Sequence, residues 1–91
     1  MHAVQVTVSI LERERAESEL KERIVPMVSQ APGFVAGYWL EPRDGKGESL
    51  VVFESEEQAN AMVEGMRAQE AQGGLPVSFD EIGTRGVIAN A

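Results

Sequence analysis

Apolar residues in this chain recur with two spacings, and the spacing switches along the sequence in a fixed order of strand, helix, strand, strand, helix, strand. A side-chain period of two belongs to a strand, and a period near 3.6 belongs to a helix. Val4, Val6, Val8 and Ile10 alternate with Gln5, Thr7 and Ser9, so residues 2–10 read as a strand rich in β-branched side chains. Residues 12–30 then change to helical spacing, with Ala16, Leu20, Ile24, Met27 and Val28 on one face. Glu17 with Lys21, and Glu19 with Arg23, are favourable pairs four residues apart. Pro26 lies inside this helix and is expected to loosen its last turns, because the ring meets the carbonyl of Glu22. Ala31-Pro32-Gly33 stops it.

Residues 34–41 form a second strand and residues 49–54 a third. Between them Pro42-Arg43-Asp44-Gly45-Lys46-Gly47 is a turn cluster, so the two strands pair as a hairpin. Ser55-Glu56-Glu57-Gln58 is a capping box that opens a second helix, striped by Ala59, Met62, Val63 and Met66. Gly73-Gly74-Leu75-Pro76 ends that helix, and residues 77–89 form a last strand with Gly83 and Gly86 as candidate bulge points. The order β-α-β-β-α-β folds as a ferredoxin-like α+β unit, a four-stranded antiparallel sheet with both helices on one face. At 91 residues the chain holds one such domain, spanning 1–91.

Composition narrows the partners. Fifteen acids against eight bases give a formal charge of −7, which repels nucleic acid and anionic lipid. Zero cysteines exclude disulfides, thiolate metal sites and a thiol nucleophile, and a single histidine excludes a multi-histidine metal cage within the chain. No apolar run is long enough to span a bilayer, and Met1-His2-Ala3-Val4-Gln5 lacks the basic start of a signal peptide, so the expected location is cytoplasmic.

All five aromatics, Phe34, Tyr38, Trp39, Phe53 and Phe79, fall on strands. Neighbours such as Tyr38 and Trp39, or Val52 and Phe53, point to opposite faces. Two helices cover one face only, and monomers seldom leave a large apolar patch exposed. A homodimer with two sheets packed face to face is therefore expected.

Val25-Pro26-Met27, the run from Ala31 to Trp39, and the run from Leu50 to Ala59 resemble the antibiotic biosynthesis monooxygenase-like family. That resemblance implies a dimeric α+β barrel. Some members oxidise aromatic polyketides with molecular oxygen and no cofactor, others degrade haem, and many have no known activity. The chain departs from the catalytic members at three places: Phe53 replaces a tryptophan that often ends strand three, Met62 stands where a histidine holds iron in haem degraders, and Gln5 is only a loose counterpart of a substrate-polarising asparagine. No cofactor is expected.

The candidate site residues are Tyr38, Trp39, Arg85, Gln5 and His2. Tyr38 and Trp39 would line an aromatic pocket, or else serve core and dimer packing. Arg85 would hold a carboxylate or enolate, or pair with Asp80 or Glu81. Gln5, Thr7 and Ser9 place a polar row on one strand face, which lines a pocket or pairs with neighbouring strands and water. His2, the one group titrating near neutrality, would shuttle protons, or else is a solvated terminal residue. Met27, Met62 and Met66 make a soft lining between helices and sheet, or else are simply core residues at helical spacing, and Asn60 is a surface residue. Gly45-Lys46-Gly47 is a hairpin turn rather than a phosphate cradle, since no helix follows it. Together these point to a barrel that binds a small aromatic or apolar molecule. If it is an enzyme, the family implies cofactor-free oxygenation; the rival is a non-catalytic ligand-sensing or assembly module. An isomerase or lyase would need a shifted base, for which His2 alone stands in range.

Overall fold

A computed structural model describes all 91 residues, Met1–Ala91. The elements run β1 (His2–Ile10), α1 (Arg13–Glu19), a π-helical turn (Leu20–Ile24), α2 (Val25–Ser29), β2 (Phe34–Trp39), β3 (Lys46–Phe53), α3 (Glu56–Gln72) and β4 (Val77–Gly86). The strands form one antiparallel sheet in the order β2-β3-β1-β4, as the ferredoxin-like plan requires. No helix is long and apolar enough to cross a membrane.

The first helical run is regular on both sides of a π-helical turn, and the irregularity lies before Pro26 rather than after it. Within that turn the Val25 N–H reaches the Leu20 carbonyl, five residues back. The wider ring relieves the conflict that Pro26 would create in an unbroken α-helix, so the helix continues to Ser29. Glu19 pairs with Arg23 at 3.3 Å as expected, but Glu17 pairs back with Arg13 at 3.6 Å and not with Lys21. The second helix opens with the expected capping box: Ser55 Oγ accepts from the Gln58 N–H at 3.3 Å, and Gln58 Oε1 accepts from the Ser55 N–H at 3.2 Å. The hairpin turn is tighter than expected. Asp44 and Gly45 adopt φ of 54° and 73°, and Arg43 and Lys46 exchange backbone hydrogen bonds of 2.9 and 3.0 Å. A two-residue Asp-Gly turn of this kind matches the twist of the flanking strands, so β3 starts at Lys46 rather than at 49.

Two bulges decide which side chains face the helices. On β2, Phe34 opposes Phe53 and Ala36 opposes Val52, leaving Val35 as the extra residue. On β4, Phe79 opposes Val8 and Glu81 opposes Thr7, leaving Asp80 as the extra residue. Each extra residue shifts the alternation by one. Phe34 and Trp39, five apart, therefore share the helix-covered face, and so do Phe79 and Ile82, three apart. The expected bulges at Gly83 and Gly86 are absent; those glycines pair in regular register with Gln5 and His2.

Four of the five aromatics thus pack toward the helices, and only Tyr38 points away. The open face is apolar rather than aromatic at its β2–β3 side, where Tyr38, Val35 and Leu50 are 61%, 44% and 40% exposed. The core is small: Val4, Val6, Val51 and Phe53 from the sheet, with Val28 and Ala59 from the helices. Phe53, only 1% exposed, meets Phe34 edge-on with ring centroids 6.4 Å apart. Replacing Phe53 by alanine removes the largest fully buried side chain. A urea titration of Phe53→Ala should show a loss of about 3–5 kcal/mol in unfolding free energy.

Candidate functional site

The two helical runs do not cover the sheet evenly. α2 packs on β2, and α3 packs on β1, β3 and β4, whereas α1 and the π-helical turn pack mainly along their own run. The gap under that run is a cavity of about 210 Å³. Its floor is Val6, Val8 and Ile10 of β1, Val51 of β3, Trp39 of β2, and Val77 and Phe79 of β4. Its roof is Leu20, Ile24, Met27 and Val28 from the first run and Met62 and Met66 from α3. Sixteen of its 25 lining residues are hydrophobic.

Helix-forming spacing explains the roof. Leu20, Ile24, Met27 and Val28 share one helical face, and Met62 and Met66 sit one turn apart. α1 is held over the gap by backbone and side-chain ties. Leu11 and Glu12 N–H groups donate to the Pro76 carbonyl at 2.9 and 3.1 Å, and Arg15 donates to the Gly74 carbonyl at 2.7 Å. Leu75 and Pro76 of that loop close one end of the cavity.

The charged lining residues Glu17, Glu19 and Arg23 stand at the helical rim, partly in solvent, and the fourth, Glu48 of β3, is exposed. Arg15 reaches Glu12 at 2.9 Å and Glu19 at 3.5 Å, and Glu19 also takes Arg23. The charges on the helical rim satisfy one another, and as exposed pairs they add little to stability, about 0–1 kcal/mol each. Every buried polar side-chain atom has a hydrogen-bond partner.

Of the five candidate residues, Trp39 alone lines the cavity. Tyr38 lies on the opposite face, as the alternation demands. Gln5 is exposed on that same open face, opposite Leu50 and Gly83. Arg85 is exposed opposite Ala3 and forms no pair with Asp80 or Glu81. Asp80 is taken instead by Lys46, at 2.9 Å, and by the Ser9 hydroxyl, at 2.8 Å. These donors hold the Asp80 carboxyl below its ordinary pKa, Lys46 first and Ser9 second. His2 pairs with Phe53 and Gly86 at the end of β1 remote from the cavity floor. Of the polar row, Ser9 alone finds side-chain partners. Asn60 is exposed, as expected. The three methionines line the cavity; Met62 and Met66 also flank the core, whereas Met27 is 49% exposed. Sequence reasoning missed Phe79 as a wall, because a bulge without glycine leaves no local mark. It also missed Lys46, whose position in a turn cluster pointed only to the hairpin.

The fold and cavity define a ferredoxin-like α+β protein with an apolar chamber between its helices and sheet. No protein-family model matches the chain, and no curated protein does. Among solved structures it is similar to MhuD of Mycobacterium tuberculosis, a heme-degrader described with two hemes bound in its active site. The TM-score is 0.56 at 20% identity, over 97% of this chain and 98% of that one, so the likeness is one of fold. Haem iron is held by imidazole, thiolate, phenolate or a thioether paired with imidazole. The cavity walls carry thioethers without an imidazole, thiolate or phenolate, and about 210 Å³ is smaller than typical pockets for drug-sized ligands. The residues present do not fit a haem.

Trp39 reports on the floor. A Cβ at Gly37 would stand 2.8 Å from the Trp39 ring, so the indole must move to admit it. Gly37→Ala should shift the emission maximum of the sole tryptophan, and an unchanged spectrum would show the ring is not packed over Gly37.

Proposed function

We propose that this chain binds a small, largely apolar molecule in the chamber between helices and sheet, and that it works as a homodimer. The observation that carries the reading is the chamber itself: a partly enclosed space walled by Trp39, Phe79 and three methionines, beside a small packed core. Methionine is unbranched and polarisable, so Met27, Met62 and Met66 can adapt to a ligand and contact an aromatic ring. Binding without turnover is favoured, because the charged side chains on the helical rim of the chamber are tied to each other. On this reading the protein is a ligand sensor or carrier; a cofactor-free oxygenase would need an activating base inside the walls.

A thermal-shift series with neutral one- and two-ring aromatics and short-chain aliphatics tests this. A ligand at about ten times its Kd stabilises the native state by about 1.4 kcal/mol, which raises the Tm of a domain this size by about 6–11 °C. Met66→Trp fills the chamber and should abolish the shift while the variant still melts cooperatively. A Tm that stays flat with every compound at millimolar concentration would defeat the reading.

The open β2–β3 face supports the homodimer. Tyr38, Val35 and Leu50 stand together there with Val52 and Ala36 beside them, an apolar patch that a second copy of the sheet would cover. Light scattering at micromolar concentration should give twice the chain mass. Tyr38→Asp combined with Leu50→Lys should give the single-chain mass with the fold retained.

A further inference from the structure

The face of the sheet away from the chamber carries a side-chain network that joins three strands. Ser9 of β1, Lys46 of β3 and Asp80 of β4 contact one another. Lys46 Nζ donates to Ser9 Oγ at 2.6 Å and to Asp80 Oδ2 at 2.9 Å. Ser9 Oγ donates to Asp80 Oδ2 at 2.8 Å, with Oδ1 at 3.1 Å. Asp80 is also the extra residue of the β4 bulge, the point where the alternation of that strand changes phase.

Val6 opposes Ile82 and Thr7 opposes Glu81 on one side of the bulge. If the ladder simply continued, Asp80 would oppose Val8, and Phe79 would oppose Ser9. A slip of one residue turns every later side chain to the other face. Asp80 would then enter the apolar chamber, and Phe79 and Val77 would leave it. A carboxylate without partners in such a space is strongly disfavoured. In the bulged register the same carboxylate finds an ammonium and a hydroxyl on the open face.

We propose that Ser9, Lys46 and Asp80 are positioning residues for the chamber: by holding Asp80 on the open face they select the register of β4 that puts Phe79 and Val77 in its walls. None of the three lines the chamber. They act through backbone phase. An exposed ion pair adds little to global stability, but register choice depends only on the difference between two pairings of one strand. Lys46 is well placed for this, because the Asp44–Gly45 turn starts β3 at that residue, directly across from Ser9.

The binding consequence rests on the chamber being the ligand site; the register does not. Asp80→Val removes the charge and supplies a strand former that the chamber accepts. Cross-strand proton contacts measured by NMR should then change: Val8 should pair with residue 80, and Ser9 with Phe79. Affinity for an apolar ligand that binds the unsubstituted protein should fall about tenfold, or about 1.4 kcal/mol. Lys46→Asp combined with Asp80→Lys reverses the pair and should restore both the Val8–Phe79 pairing and the affinity. Retention of the Val8–Phe79 pairing in Asp80→Val overturns the inference whatever the ligand result. A changed register in a protein that binds none of the apolar compounds overturns the proposed function and leaves the inference standing. Should Asp80→Val not fold, Ser9→Ala with Lys46→Ala keeps the carboxylate while removing its partners. Amide exchange across residues 78–81 should then quicken about tenfold, and unchanged exchange overturns the inference.

Discussion

A strand presents side chains to its two faces in turn, and helices cover only one face of this sheet, so apolar residues must arrive on the covered face in phase. Val4, Val51 and Phe53 do so on the central strands without any device. The outer strands do not have a single uninterrupted phase. A bulge at Val35 brings Phe34 into line with Trp39, and a bulge at Asp80 brings Phe79 into line with Ile82. The rest of the structure depends on these two shifts. Without them, the core would lose the Phe34–Phe53 contact and the chamber would lose Phe79.

The chamber follows from a second mismatch, between two helical runs and the sheet they cover. α3 packs across three strands, and α2 packs on β2, but α1 and the π-helical turn stand over the sheet with less support. The carbonyl of Gly74 and the carbonyl of Pro76 hold that run in place from the far side. Unbranched methionine on both helical runs lets the roof adapt, whereas the β-branched floor of Val6, Val8 and Ile10 stays stiff. Binding of a compact apolar molecule is the use proposed for such a chamber.

Similarity in fold to a heme-degrader does not carry that protein's chemistry with it, because function resides in the side chains grafted onto a fold. Here the walls facing the chamber are mostly aliphatic, aromatic and thioether groups, with the polar side chains of Ser49 and Gln69 among them. The one imidazole stands at the far end of β1, and the one phenol lies on the opposite face of the sheet.

By itself, the amino-acid order determined the element sequence, the antiparallel sheet with helices on one face, the Ser55–Gln58 capping box and the division of Tyr38 from Trp39. All of these rest on short-range rules of period, capping and alternation, and the residues concerned lie within a few positions of each other. Met27, Met62 and Met66 were likewise visible as a lining, since helical spacing places them on faces that must meet the sheet. Only the tertiary structure decided where the phase of an outer strand shifts, which carboxylate partner Lys46 takes, and that Arg85, Gln5 and His2 stand apart from the chamber. Those outcomes depend on pairings far apart in sequence, 71 positions between Ser9 and Asp80 and more between His2 and Gly86. A bulge at a residue other than glycine is chosen by the strands beside it, and a partner that distant leaves no mark in the local pattern.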